Sequence, residues 1–157
     1  MAVREIFKRG YPSLSKKSKR IDKIDKETLN LMQDLKDTLY STETGIGLAA
    51  PQLGVNKRVI FVDLRDGIAK PMILINPVVA AKFGKVEGEE GCLSLPGYYG
   101  MVDRPRKVIV NGLNEKGEKI SVRASGLLCR DLCHEIDHLE GIMFCDKAKS
   151  LYKESEE

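Results

Sequence analysis

The feature that most constrains this chain is an apolar helical segment with polar residues set into it, LLCRDLCHEIDHLEG, at positions 127–141. Its leucines and isoleucine fall around the whole helix, which predicts a helix buried among strands. A buried polar side chain is costly unless it is paired or coordinated. The fold must therefore supply partners for His134, Glu135, Asp137 and His138.

The spacing of the two histidines indicates a metal site. Residues at i and i+4 lie one turn apart on one face of a helix, so both imidazoles can reach one ion while Glu135 stays beside it. A catalytic metal normally takes three protein ligands and leaves a position for water, and this chain has no third histidine. Hydrogen bonding within a core is the alternative interpretation of the pair.

A cysteine is the best candidate for the third ligand, because only a short charged segment follows His138 and a ligand on a later helix is not expected. Three of the cysteines lie on the helix or just after it, and we expect them to be core thiols: Cys129, Cys133 and Cys145. Cys92 differs, because it stands in EEGCLSLPG, where its small neighbour Gly91 lets a side chain reach into a site. We predict that Cys92 is the third ligand.

The remaining patterns predict strands between two helices. Residues 57–64 and 71–80 are β-branched apolar runs of strand length, and 85–97 is extended and ends in a Pro-Gly turn. Residues 106–125 alternate as a hairpin whose loop is Asn114 to Gly117.

Both predicted helices have start signals. The first runs from Asp25, as N-cap, to about Tyr40, and the second from Ser125, also as N-cap, to about Leu139, with Gly141 as its stop. The fold class is α+β, with mixed or antiparallel β-sheets packed around a central C-terminal HExxH helix and with an N-terminal helix.

The bulk composition fits one domain over residues 1–157, with 147–157 as a short polar tail. A net charge of +3 is too mild to indicate nucleic-acid binding. We expect a cytoplasmic protein with reduced cysteines, since the chain opens without a signal sequence and has no run of about 20 apolar residues.

Three motifs, GIGLAAPQ at 45–52, EGCLS at 90–94 and HEIDH at 134–138, stand here in order, and with them the chain resembles the bacterial peptide deformylases. The resemblance implies a metallohydrolase that removes the N-formyl group from N-formylmethionine of newly synthesised polypeptides and releases formate. It implies one Fe(II), with Zn, Ni or Co able to substitute, on Cys92, His134 and His138. Ligand softness alone would have favoured zinc.

The chemistry assigns a role to each motif. Glu135 is suited to take a proton from the attacking water and pass it to the departing amine. Family likeness assigns the oxyanion of the formyl group to two donors, the Gln52 side-chain amide and the Leu93 backbone N–H. Glycines permit the close backbone approach that excludes larger acyl groups, and three of them border the expected site: Gly45, Gly47 and Gly91.

The substrate is expected to lie extended and to pair with the backbone around Ile46 and Gly91. The methionine side chain would then enter a pocket that includes Leu127 and Arg130. Asp137 on the buried helix needs a cation, and we predict an ion pair with Arg104 that supports the site, a surface salt bridge being the alternative.

Two departures from the family pattern affect the expected partners. Many members carry an arginine soon after EGCLS, whereas Tyr99 stands near that place here, and the tail is too short for ribosome docking through a further helix. The basic residues of 8–20 are either a solvated face or a transient ribosome contact. A small metalloendopeptidase and a structural zinc protein with a fourth ligand such as Cys133 are the competing functions.

Overall fold

The computed structural model describes residues 2–154, which form two antiparallel sheets and three α-helices, as the α+β prediction requires. Two short 3₁₀ helices, Pro12–Ser15 and Ala50–Leu53, complete the helical part. The helices are α1 Lys26–Tyr40, α2 Gly126–Leu139 and the short α3 Phe144–Lys147. The strands are β1 Gly47–Ala49, β2 Val59–Val62, β3 Met72–Phe83, β4 Val86–Cys92, β5 Leu95–Arg104, β6 Lys107–Leu113, β7 Lys119–Ser125 and β8 Leu151–Lys153. The larger sheet has the order β1-β2-β3-β6-β7, and the smaller one has the order β4-β5-β8.

The larger sheet is buried on both faces at its β1–β3 end. Side chains alternate along a strand, so Val59 and Phe61 of β2 pack in the core with α1, while Ile60 and Val62 pack in the core with α2. Helix α2 also contacts β5 of the smaller sheet. The HExxH helix is therefore central, as predicted.

Helix α1 begins where the sequence indicates. Asp25 is its N-cap, and its Oδ1 accepts hydrogen bonds from the backbone N and the Oγ1 of Thr28, both at 2.9 Å. These bonds also lower the pKa of the Asp25 carboxyl.

Helix α2 begins where the sequence predicts, but without a side-chain cap. Ser125 occupies the N-cap position, but its side chain makes no capping bond, because the residue still pairs with Lys107 as the last member of β7. Gly126, at φ +60°, turns the chain directly from strand into helix.

The end of α2 is a Schellman motif centred on Gly141, as the sequence indicates. The backbone N of Gly141, at φ +76°, donates to the carbonyl of His138 at 3.1 Å, and the N of Ile142 donates to that of Asp137 at 3.0 Å. The last turn, which carries one of the predicted ligands, is thereby closed.

The predicted Pro-Gly turn at the end of 85–97 is wrong. The chain reverses two residues earlier, at Leu93–Ser94, where Cys92 pairs with Leu95, and Pro96–Gly97 lies inside β5. Strand pairing overrides the local turn signal here, and Gly97 at φ +82° distorts β5 without ending it. Cys92 is consequently the last residue of β4.

The segment predicted as a polar tail is also more ordered than expected. Tyr152 pairs with Tyr99, so Leu151–Lys153 adds a third strand to the smaller sheet, while its side chains stay exposed. Residues 155–157 of the predicted tail lie outside the described part. No helix within 2–154 is long and apolar enough to cross a membrane.

We expect Gly141→Ala to lower the free energy of unfolding by about 1–3 kcal/mol or more, because a non-glycine residue is strained at positive φ. Its Cβ would also lie 2.8 Å from the backbone carbon of Ser15. Gly126→Ala is the matched control, since its φ is also positive but no atom lies within 4 Å of the added Cβ. Urea unfolding should give the larger loss for Gly141→Ala, and equal losses would show that the contact with Ser15 is unimportant.

Candidate active site

A cleft of about 510 Å³ opens where the edge strands of the two sheets approach each other. Residues 44–47, at and before the start of β1, form one wall, and residues 89–93, at and just after the end of β4, form the opposite wall. The β4–β5 hairpin through Tyr99 forms the rim. Helix α2 forms the inner wall with residues of its cleft-facing side: Leu127, Arg130, Asp131, His134 and Glu135. The three sequence motifs therefore meet in one place.

The predicted ligands converge at the inner end of this cleft. One donor atom from each of Cys92, His134 and His138 lies within 4.8 Å of the other two, and the Cys92 Sγ is 3.4 Å from the His138 Nε2. No other set of three or more such donors occurs among residues 2–154. One strand end and one helix face thus present a thiol and two imidazoles to a common point.

The electrostatics of two ligands suit a cation. Burial, followed by the nearby charge of Glu135, raises the pKa of the Cys92 thiol, so the thiolate needs a positive ion beside it. Burial, followed by the charges of His134 and Arg104, lowers the pKa of His138 far below its usual value. A neutral imidazole and a thiol that ionises on binding are the forms a zinc- or iron-type site uses.

Glu90 supports one ligand directly, and sequence reasoning missed it. Its Oε1 lies 2.9 Å from the Nδ1 of His134, which leaves the Nε2 of that ring for the ligand cluster. Although burial alone would raise the pKa of Glu90, hydrogen bonds from Arg104 and His134 hold it far below its usual value. The available signal was alternation, since Glu90 is two residues before the predicted ligand Cys92 and therefore lies on the same face of an extended strand.

Arg104 has the partner that the sequence predicts. Its Nη1 donates to the Oδ2 of Asp137 at 2.6 Å, and its Nε and Nη2 donate to the two oxygens of Glu90, each at 2.8 Å. Arg104 is 3% exposed, which excludes the surface salt bridge. The guanidinium joins β5, β4 and α2 behind the ligands.

Arg130 borders the cleft, but its guanidinium is used within the protein. Its Nη1 donates to Glu90 Oε2 at 2.7 Å and to the Val102 carbonyl at 3.0 Å, while its Nη2 donates to the Val86 carbonyl at 2.9 Å. A Cβ on Gly88 would lie 2.8 Å from the guanidinium carbon. Only the non-polar part of the Arg130 side chain is available to a substrate pocket in the cleft. Leu127, which is about half exposed, lies at the outer edge of that pocket.

Gln52 is held beside the ligand cluster and is not a surface loop residue. It is 1% exposed, and its Oε1 accepts a hydrogen bond from the Ala49 N at 2.9 Å. Its Nε2 donates to the Ser94 Oγ at 3.1 Å and makes a longer contact of 3.5 Å with the Cys92 Sγ. The amide donor that was expected from the sequence is therefore fixed in orientation.

The glycines permit close approaches, although the approaching groups belong to the protein itself. A Cβ on Gly47 would lie 2.4 Å from the Asp131 Oδ1 and 2.6 Å from the Glu135 Oε2. A Cβ on Gly91 would lie 2.8 Å from the Tyr99 ring, and one on Gly45 would touch Leu93 at 3.0 Å. The absence of a side chain at Gly47 thus leaves room beside β1 for two carboxyl groups.

Glu135 and Asp131 are these two carboxyl groups, and the second was missed from sequence. The Glu135 Oε2 lies 4.0 Å from the His134 Nε2. Burial, followed by the charges of Asp131 and Glu90, raises the pKa of Glu135 well above its usual value. Burial, followed by the charges of Glu90 and Asp63, does the same for Asp131. The i, i+4 spacing of the pair was the signal that could have found it.

We expect Glu90→Gln to destabilise the metal-free protein by about 3–5 kcal/mol near neutral pH, because Arg104 and Arg130 lose their buried counter-charge. A depressed carboxyl pKa stabilises the fold above the unfolded-state value of about 4.3 and loses this effect as pH falls towards the folded-state value. The difference from wild type should therefore shrink in acid. Urea unfolding at a series of pH values measures this difference in the free energy of unfolding. Glu89→Gln, at an exposed position of the same strand, is the control. A loss as small as that of the control would contradict the role of Glu90.

We expect the metal-free protein to bind one cobalt(II) ion with a thiolate-to-metal charge-transfer band, which Cys92→Ser abolishes. Affinity should fall as pH falls, because the ion must displace the proton of the thiol. Cys133→Ser is the control: its side chain belongs to the apolar core, and burial raises its thiol pKa to about 12. Loss of the band in that control would instead favour a site closed by Cys133 as a fourth ligand.

Comparisons with known proteins agree with this geometry. The model of the family described as polypeptide deformylase matches residues 3–154. Peptide deformylase 1 of Clostridium acetobutylicum is 47% identical over 147 residues, covering 94% of this chain and 95% of its own. A peptide deformylase of Acetivibrio thermocellus is 48% identical over 156 residues, which cover 99% of this chain and 89% of that protein.

Solved structures give the same result. The peptide deformylase of Legionella pneumophila superposes with a TM-score of 0.90 at 37% identity, over 94% of this chain and 87% of that one. The peptide deformylase of Synechococcus elongatus, in complex with actinonin, superposes with a TM-score of 0.86 at 40% identity, over 92% of this chain and 78% of that one. The chain belongs to the polypeptide deformylase family.

Proposed function

We propose that this enzyme removes the N-formyl group from N-formylmethionine at the start of newly synthesised polypeptides and releases formate. The observation that carries the proposal is the convergence of Cys92, His134 and His138 within 4.8 Å, with the Glu135 carboxyl beside them at the inner end of an open cleft. Membership of the polypeptide deformylase family supports the same reaction.

The cofactor in this proposal is one Fe(II), for which Zn, Ni or Co can substitute, held by Cys92, His134 and His138. The donor set fits such an ion, since it combines one thiol with two imidazoles. A bound metal supplies Lewis acidity, which polarises the formyl carbonyl and lowers the pKa of a water.

Glu135 moves the proton in the reaction. Its carboxylate takes a proton from the attacking water and then gives that proton to the nitrogen of the departing amine, so the C–N bond breaks and formate leaves. Burial and the neighbouring carboxyls, which raise the pKa of Glu135, favour a side chain that can hold the proton between these steps.

The formyl oxygen accepts hydrogen bonds from the Gln52 amide and from the Leu93 backbone N–H as negative charge develops on it. The contact of the Gln52 Nε2 with the Cys92 Sγ is the longer of its two, and this is the one that the substrate oxygen would replace. Leu93 lies in the two-residue turn after β4, next to the ligand cysteine, which supports its backbone N–H as the second donor.

The peptide lies extended between β1 and β4 and pairs with the backbone around Ile46 and Gly91. The close approach of Gly45 to Leu93 and of Gly47 to Glu135 supports a small site, which would favour formyl over larger acyl groups. Leu127 and the non-polar part of Arg130 border the pocket for the methionine side chain. Main-chain pairing accepts any sequence beyond the first residue.

The proposed setting is the cytoplasm, with a transient contact between the enzyme and the ribosome. The basic residues that would make this contact are exposed: Lys16, Lys17, Lys19 and Arg20. Neither a specific nucleic-acid sequence nor a membrane is part of the proposal.

Formate release from an N-formylmethionyl tripeptide by the anaerobic, Fe(II)-loaded enzyme tests the reaction. We expect Glu135→Gln to lower kcat by about 100-fold to 10,000-fold, because the proton carrier is lost. Glu115→Gln, on the exposed β6–β7 loop, is the matched control and should retain full activity. No formate from the loaded wild type would exclude the proposal, and cleavage of the unformylated peptide would favour an endopeptidase.

A further inference from the structure

Asp131 is a buried carboxyl that the proposed reaction does not use. It is 4% exposed, and its Oδ2 has no hydrogen-bond partner within residues 2–154. The residue nevertheless lines the cleft of the proposed active site. An unpaired buried oxygen is costly unless another group meets it, so its position bears on what the cleft binds.

The position of Asp131 relates it to the first side chain of the substrate. Leu127, Asp131 and Glu135 are spaced four residues apart and form one stripe along α2, with a rise of about 6 Å between neighbours. The stripe runs from Leu127 at the outer edge to Glu135 beside the ligand cluster. Asp131 lies between them, one turn from Glu135, and next to the pocket that the proposed function assigns to the first side chain of the substrate.

The charged groups that act most strongly on Asp131 are other carboxyls. The Asp131 Oδ1 and Glu135 Oε2 lie 2.4 Å and 2.6 Å from the point that a Cβ on Gly47 would occupy, so they are at most about 5 Å apart. The nearby Arg104 and Arg130 direct their guanidinium hydrogen bonds to other groups. Burial and the neighbouring acids raise the pKa of Asp131, and a neutral carboxyl can both donate and accept a hydrogen bond.

A carboxyl inside the pocket affects which first residue of the substrate the pocket can accept. If that residue is methionine, its common polar form is the sulfoxide, in which a strong hydrogen-bond acceptor replaces a soft thioether. An entirely apolar pocket would remove the sulfoxide oxygen from water without a partner and would disfavour it. A carboxyl within the pocket supplies that partner.

We propose that Asp131 is a specificity-determining residue that hydrogen-bonds the end of the first side chain and lets the enzyme deformylate chains beginning with formylmethionine sulfoxide. This inference rests on the proposed function. It concerns the choice of substrate, so it predicts changes in relative kcat/KM among substrates rather than a uniform loss of rate.

The test compares formate release from three tripeptides that differ only in the first residue: formylmethionine, formylmethionine sulfoxide and formylnorleucine. In wild type, kcat/KM for the sulfoxide should lie within about tenfold of that for methionine. Asp131→Ala should lower the ratio of sulfoxide to norleucine by about tenfold, mainly through KM. Asp131→Asn, which keeps a donor and an acceptor, should restore most of the ratio.

Leu127→Ala is the matched control, because it removes an apolar group from the same stripe and should change all three substrates in the same direction. An unchanged ratio in Asp131→Ala would overturn the inference, as would an equal fall of kcat for all three substrates, which would place the effect on Glu135. Either result would leave the proposed function intact. No formate from any of the peptides with wild type would overturn both.

Discussion

The buried carboxylate of Glu90 is the group on which the geometry of the site depends. It meets Arg104 from the end of β5 and both Arg130 and His134 from α2, all at hydrogen-bonding distance. Two residues later the same strand supplies Cys92, so one carboxylate sets the strand ligand against the helix ligands. Buried ion pairs contribute little net stability compared with apolar packing. We therefore interpret the Glu90 carboxylate as the group that fixes the position of β4, and so of Cys92, relative to α2.

The acidic side chains of the site fall into two kinds with opposite properties. Glu90 is surrounded by guanidinium groups, which outweigh its burial, and it stays ionised. Asp131 and Glu135 are buried beside other carboxyls, and the pKa of each is raised. Environments that push carboxyl pKa values apart are typical of acid–base catalysis. A carboxylate that stays ionised and two carboxyls with raised pKa values thus lie within one cleft.

The parts of this structure that sequence could predict are those with local patterns. The buried helix, its two histidines, the glycine-flanked cysteine and the β-branched strands all follow from short-range spacing. The Pro96–Gly97 turn and the polar tail were wrong because strand pairing overrode local composition, as the pairing of Tyr99 with Tyr152 shows. Glu90 and Asp131 were missed because local spacing gives only the face on which each side chain lies, whereas their roles depend on contacts with residues distant in sequence.

The pairing of β8 with β5 has a consequence for the order in which the molecule is built. Chains fold as they emerge during synthesis, from the N-terminal end. β4 and β5 leave the ribosome before α2, which carries two of the ligands, and β8, the strand that completes the smaller sheet, follows all three. The rim of the cleft, at Tyr98 and Tyr99, therefore gains its outer neighbour only after the ligand residues have been made. An enzyme proposed to act at the beginnings of other chains thus completes its own cleft wall after its own ligand set.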